Sequence, residues 1–252
     1  MNKVLLGTAV TLLAASSAFA QNYQAEFRAD YLNGDVRDND FDGFALSAQA
    51  HLDKVDTTKG PLNEAAFLDK SSFVDLSWLT LDFDEGGSDD TLSLEGRFVT
   101  QGNMIVEAGF SDFENDEAYS VGLGMYVNDA LDAVLAYETF DEADRSSLAL
   151  DFHGVQLLNR TASLAYDYGV SVIDLNDETG YEGRLGADYY FNTMVSVGAS
   201  LAWLDVDEFD STTWQVGVDY FVTPLVRVGA EFITQGQDVE RDSLGINASI
   251  RI

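Results

Sequence analysis

His51 and His153 are the only two histidines in 252 residues, and His153 has neighbours that could support acyl chemistry. A serine nucleophile needs a base within hydrogen-bond reach and an acid to orient that base. Asp151 lies two residues before His153, and Ser147 lies further back on the same alternation. On a strand, that spacing puts all three on one face. It is the face opposite Leu148, Leu150 and Phe152, so an enzyme acting on lipid acyl chains would turn its machinery away from its substrate. The simpler account is a strand histidine, and among so many carboxylates no aspartyl pair stands out. Without cysteine, thiolate metal sites and disulfides are excluded. Asp82-Phe83-Asp84-Glu85-Gly86 carries a D-x-D-x-G fragment but not the rest of an EF-hand loop. No catalytic residue, resident metal or cofactor is expected.

The remaining chemistry is that of charge. Asp and Glu number 44 against 13 Lys and Arg, a formal net charge of -31. Such a surface repels phosphate backbones, so nucleic acid is excluded as a partner. With 46% hydrophobic residues the chain is too apolar for an acidic disordered protein. Twelve per cent aromatics, 21 Gly and 2 Pro suit strands, which can spare few backbone donors.

The elements that position these charges follow from period-two alternation. Between residues 21 and 31, Tyr23, Ala25, Phe27, Ala29 and Tyr31 share one face, and Gln24, Glu26, Arg28 and Asp30 share the other. The same pattern recurs along the whole chain to Ile252 and gives fourteen strands. In the strand at 73–83, Val74, Leu76 and Trp78 follow one parity and Leu79, Leu81 and Phe83 the other, so a bulge is expected near Trp78. Segments of roughly 10–12 residues exceed those of a soluble sandwich and match tilted bilayer-crossing strands. The expected fold is all-β: a transmembrane antiparallel barrel of about 14 strands. Tyr23, Tyr31, Tyr181, Tyr189, Phe191, Trp203, Trp214 and Tyr220 sit near strand ends, as girdle aromatics do. Short turns such as Gln101-Gly102-Asn103 alternate with acidic connections, read as periplasmic turns and extracellular loops. The acidic set, from residues 32–42 to 235–242, holds 25 of the acids with Arg37, Arg145 and Arg241. It reads as a solvated surface, or as carboxylates binding divalent cations that bridge to lipopolysaccharide.

The polar parity faces the lumen. Its candidate pore-lining residues are Glu26, Arg28, Asp30, Glu95, Arg97, Glu107, Asp151, Asp167, Glu182, Arg184, Asp188, Asp219, Arg227, Glu231 and Arg251. With Asp132 and Glu138, that parity carries twelve acids against five Arg, a cation-attracting interior. Gly and Ser fill much of the rest, which cannot close a barrel whose backbone is roughly 25–28 Å across. Charged residues on this wall either line water or pair to brace it, as Glu26 with Arg28, Glu95 with Arg97 and Glu182 with Arg184 could.

Residues 1–20 have a Lys3 start, an apolar run from Val4 to Leu13 and an Ala18-Phe19-Ala20 end. They read as a secretory signal peptide, leaving residues 21–252 as the exported barrel. Residues 54–71 form the longest connection and are expected to be helical on the periplasmic side, with Pro61 at the first position. The segment could pack on the rim or enter the pore, where Lys59, Pro61, Glu64 and Phe67 would form a constriction.

Overlapping it, residues 58–72, TKGPLNEAAFLDKSS, follow a signal and two strands. The stretch resembles one at a similar place in the general bacterial porins of Gram-negative outer membranes. The resemblance implies passive diffusion of small hydrophilic solutes and insertion into the cell outer membrane by the barrel assembly machinery. It supplies no binding residues. Two features depart from outer-membrane barrels: the chain ends Ile250-Arg251-Ile252 rather than in an aromatic residue, and it has no long loop to fold inward as in trimeric porins. The expectation is a porin that prefers cations, contacts outer-membrane lipid and lipopolysaccharide, and is open to assembly as a homo-oligomer. The alternative is a non-conducting structural or adhesive barrel displaying its acidic loops.

Overall fold

The computed structural model describes residues 22–252 except 38, 115, 176, 177, 207, 208 and 239. The expected leader, residues 1–20, lies outside the described residues, as do parts of five acidic connections. Among the described residues, fourteen strands form one closed antiparallel barrel. They are β1 (Asn22–Val36), β2 (Asn39–Asp56), β3 (Phe73–Phe83), β4 (Gly87–Val99), β5 (Met104–Phe113), β6 (Asp116–Asn128) and β7 (Leu131–Phe140). The second half is β8 (Arg145–Leu157), β9 (Ser163–Leu175), β10 (Glu178–Asn192), β11 (Val195–Val206), β12 (Phe209–Thr223), β13 (Val226–Gln237) and β14 (Arg241–Arg251). A single helical turn, α1 (Ala65–Leu68), lies between β2 and β3.

Closure is made by β1 and β14, paired from Glu26↔Arg251 to Val36↔Arg241. Past the ladder, the Ile252 carbonyl accepts from the Gln24 and Ala25 amides at 2.6 and 3.1 Å. Every strand therefore has two neighbours and no edge is left for lipid to meet, as a bilayer demands. Outside, the apolar parity stands free: Phe27, Leu46, Leu76, Val106 and Leu123 are 44–65% exposed. Those side chains form the surface that meets acyl chains.

The alternation inverts near the acidic end. On β2, Phe44 and Leu46 face out, but above them Asp40 and Asp42 face out while Phe41 is buried inside. On β9 the change falls between Val172 and Asp174, with Ile173 buried within. On β11 it falls between Trp203 and Asp205, with Val206 buried within. The strands thus continue past the lipid as a rim that is polar outside and apolar inside. The acidic segments are largely taken up by this rim; β1 ends at Val36 and β2 starts at Asn39.

The inversion also explains β3. It pairs with β2 and β4 without a register shift, so the expected bulge near Trp78 is absent. Val74, Leu76 and Trp78 are exposed outside, and Leu79, Leu81 and Phe83 follow Asp75 and Ser77 inward because the rim lumen is apolar. A bulge does occur between Tyr23 and Ala25. It turns Tyr23, expected in the girdle, inward to 3% exposure. The other girdle aromatics stay outside: Tyr31, Tyr181, Trp203 and Trp214 are 40–60% exposed.

Trp203 lies across Gly183 on the outer wall, where a Cβ would meet its Cζ2 at 1.9 Å. Gly183→Val is expected to lift the indole and cost about 1–3 kcal/mol. Gly217→Ala, whose methyl meets nothing closer than 3.5 Å, should change stability by less than about 0.5 kcal/mol. Urea unfolding in lipid vesicles, followed by tryptophan fluorescence, measures both.

Candidate functional site: the lumen

Lumen residues are set by parity and the barrel wall, and three cavities hold fourteen of the fifteen expected positions. A cavity of about 530 Å³ is lined by Glu95, Arg97, Glu107, Asp151, Glu182 and Arg184. A second, about 300 Å³, has Arg28, Asp167, Asp188, Asp219, Arg227 and Glu231 on its walls. The third, about 370 Å³, adds Glu26 and Arg251 beside Glu64. Asp30, the fifteenth, accepts from Arg28 Nε at 2.8 Å.

The Arg partners differ from the expected same-strand pairs. Arg97 leaves Glu95 and binds Glu107 on β5 at 3.0 Å and Asp132 on β7. Arg184 leaves Glu182 and reaches Asp151 on β8 at 2.6 Å. Glu26 pairs across the closing seam with Arg251 at 2.5 Å, and Arg227 lies 3.9 Å from Glu26 and 3.8 Å from Asp219. Arg97 with Glu107 and Arg251 with Glu26 are direct cross-strand pairs; Arg184 reaches Asp151 across Gly169 of the strand between them, and Arg28 keeps a same-strand partner in Asp30. Among the described residues, Glu95, Glu138, Asp167, Glu182, Asp188 and Glu231 have no ion pair within 4 Å. The Arg at the five expected positions are all paired, whereas Arg145 and Arg241, inward-facing at the rim, have no ion pair among the described residues and lie over Phe140 and Phe41. The surplus charge of the belt below them is carboxylate.

The lumen glycines have a specific task. Seven acids each stand directly opposite a glycine on the next strand: Glu95↔Gly109, Glu107↔Gly122, Asp151↔Gly169, Asp167↔Gly186, Asp188↔Gly198, Asp219↔Gly229 and Glu231↔Gly245. The side chains lie over those glycines. A Cβ on Gly186 would meet Asp167 Oδ2 at 2.0 Å, one on Gly198 would meet Asp188 Oδ1 at 2.1 Å, and one on Gly169 would meet Asp151 Oδ1 at 2.2 Å. Missing side chains thus let the carboxylates lie flat along the wall. At Gly169 the gap also admits Arg184, whose Nε would be 2.8 Å from the added carbon.

Residues 57–72 close over the short-turn mouth from within it, not on its rim. Helix α1 is one turn, shorter than expected. The Lys70 amide bonds the Phe67 carbonyl, and the Ser71 amide bonds the Ala66 carbonyl. Lys70 has φ 54°, which completes a Schellman-type stop. Leu62 donates its amide to the Thr193 carbonyl at 2.9 Å and accepts from Arg251 at 2.8 Å. Asn63 Nδ2 donates to Asp219 at 3.1 Å and its Oδ1 accepts from Arg227 at 3.0 Å. Glu64 accepts from the Tyr190 hydroxyl at 2.7 Å and lies 2.9 Å from His153 Nε2. Phe67 packs edge-on to His153 and accepts from the Tyr126 hydroxyl through its carbonyl. Lys70 reaches Asp129 in the β6–β7 turn at 2.8 Å; that bonded ammonium holds the Asp129 carboxyl below its ordinary range. Of the four constriction candidates, Glu64 and Phe67 bind the wall, Pro61 is buried in the segment, and Lys59 pairs with Asp69.

This arrangement dissolves the acyl-transfer constellation. Asp151 is held by Arg184 and His153 by Glu64, so Ser147 gains no base. The D-x-D-x-G fragment forms no cluster able to hold a metal among the described residues. Tyr126, Tyr190 and Phe221, buried inside at 2–4% exposure, were missed as anchors. Their parity is that of the lumen acids, so alternation alone could have found them.

A family described as putative general bacterial porin matches residues 1–186. No curated protein matches. Among solved structures, the outer membrane protein Omp33 of Acinetobacter baumannii is similar with a TM-score of 0.73 and 22% identity, over 93% of this chain and 100% of that one. OprD of Pseudomonas aeruginosa has a TM-score of 0.45 and 10% identity, over 95% of this chain and 97% of that one.

Glu64→Ala strips the Tyr190 hydroxyl and His153 Nε2 of their partner, a loss of about 1–3 kcal/mol for buried polar groups. Trypsin is expected to cut at Lys59 or Lys70 faster in the folded variant, with the barrel still resisting detergent at room temperature. Glu64→Gln keeps an acceptor and should be cut at a rate between the two.

Proposed function

Since this chain belongs to the general bacterial porins, we propose that it is an outer-membrane channel for passive diffusion of small hydrophilic solutes and that it prefers cations. Family and fold point to a channel rather than an enzyme, and to the outer membrane as its location. The carrying observation for cation preference is that in the belt Arg28, Arg97, Arg184, Arg227 and Arg251 are all paired, while Glu95, Glu138, Asp167, Glu182, Asp188 and Glu231 have no ion pair among the described residues. The unpaired Arg145 and Arg241 stand above it at the rim. Uncompensated carboxylates along a wall raise the local concentration of cations and lower that of anions. The fifteen wall residues are the pore lining in this reading, and residues 57–72 are its constriction. Lipid meets the exposed apolar band, and the acidic rim stands beside the lipopolysaccharide headgroups, with divalent cations as the bridge. Residues 1–20 direct export, and the assembly machinery inserts the barrel.

One observation favours the non-conducting alternative: the segment over the mouth bonds residues from β6 through β14. Conduction then depends on the space left beside it.

Planar-bilayer recordings of residues 21–252 in a KCl gradient test the proposal. Discrete conductance with a cation-selective reversal potential is expected, and Asp188→Asn with Glu231→Gln should move the reversal toward zero. Anion preference would sink the selectivity reading. Silence from a folded barrel would favour the closed scaffold, unless Asn63→Ala with Glu64→Ala restores current.

A further inference from the structure

Above the charged belt, the lumen changes character. The inverted alternation of the rim brings Leu32, Phe41, Leu79, Leu81, Phe83 and Phe113 onto the inner face. Ile173 and Val206 also point inward on the far wall but are covered, at 1% and 4% exposure, as is Phe41, so the accessible part of the collar is Leu32, Leu79, Leu81, Phe83 and Phe113. The register ties these residues into one tier: Leu32↔Gly43↔Leu81, then Phe113↔Thr91↔Leu79. Leu32 and Leu81 meet over Gly43, where a Cβ would find Leu81 Cδ2 at 2.8 Å and Leu32 Cβ at 3.2 Å. Phe41 and Phe83 have ring centroids 5.8 Å apart, and Phe113 stacks on Phe140 at 6.0 Å. Two guanidinium groups already lie on these rings, Arg241 over Phe41 at 5.2 Å and Arg145 over Phe140 at 5.0 Å. Those two faces are taken by the chain's own Arg241 and Arg145, which shows that the collar rings receive planar cations, while Phe83 and Phe113 bear no cation among the described residues. Glu138 and Glu182 stand just below it on the lumen face, followed by the unpaired carboxylates of the belt.

We propose that this collar is a second specificity element, selecting organic cations that carry an apolar or aromatic group over equally charged polar ones. The proposal rests on the cation-preferring channel reading and names its solute class. A solute entering from the acidic end first meets apolar and aromatic surface, which favours burial of its own apolar part and cation–π contact. It then passes its charge to the carboxylates. A wholly polar cation gains only from the second stage, and a neutral apolar solute only from the first.

The test compares reversal potentials under biionic conditions with sodium, choline and benzyltrimethylammonium chlorides. Benzyltrimethylammonium is the bulkier quaternary cation, so sieving alone would rank it below choline. The expected result is a benzyltrimethylammonium permeability at least equal to that of choline. In Leu81→Ser with Phe83→Ser, the ratio of the two should fall about threefold, the change carried by loss of an exposed cation–π contact, while sodium-over-chloride selectivity holds. Leu32→Ser with Phe113→Ser, on different strands, should reproduce the fall if the first variant fails to form a heat-modifiable barrel. A ratio set by size in the wild type, or unmoved in a folded collar variant, overturns the collar while leaving the porin reading standing. Absence of cation selectivity in sodium chloride overturns both.

Discussion

The structure depends on one constraint: inside a bilayer no backbone donor or acceptor can be left without a partner. For a sheet, that constraint permits only closure, and here closure rests on β1 meeting β14, with Ile252 bonded back to Gln24 and Ala25. Closure makes one face of every strand outer and the other inner. Every later property is a consequence of which residue type occupies which parity.

Parity carries more information than a single apolar stripe. Over the lipid-facing band it reads apolar outside and polar inside, and past the band the two exchange. The exchange falls where the girdle aromatics Tyr31, Trp78, Trp203 and Trp214 give way to Asn33, Thr80, Asp205 and Thr212. The chain thus marks the lipid boundary on itself, since an apolar residue is stable outside only where acyl chains cover it. The same exchange divides the lumen into a charged belt and an apolar collar without any inserted loop.

Much of this was legible in the sequence, because a period of two is a direct readout of side-chain direction. Fourteen strands and the direction of the fifteen charged lumen residues follow from it. Pairing did not follow: Arg97 and Arg184 choose acids on other strands, and a partner across strands depends on register, which a single strand does not encode. The inward apolar run on β3 was mistaken for a bulge, since the alternation was read against one environment where there are two. At Tyr23 the error ran the other way, because a real bulge shifts parity with no signature in the residues around it. The connection over the mouth was legible in place but not in depth. Its seating depends on Tyr126, Tyr190, Arg227 and Arg251, which lie far away along the chain.

That separation has a bearing on the order of assembly. Residues 57–72 are synthesised early, yet Glu64 binds Tyr190, Asn63 binds Asp219 and Arg227, and Leu62 binds Arg251, the penultimate residue. Contacts of such long range carry a large loop-closure cost and form late. The full set of contacts that seats the segment exists only once β10, β12, β13 and β14 are in the wall. Its docking is therefore a record of completion: a barrel whose final hairpin has not joined still holds a loose mouth, and a seated segment certifies that the seam between first and last strand is shut.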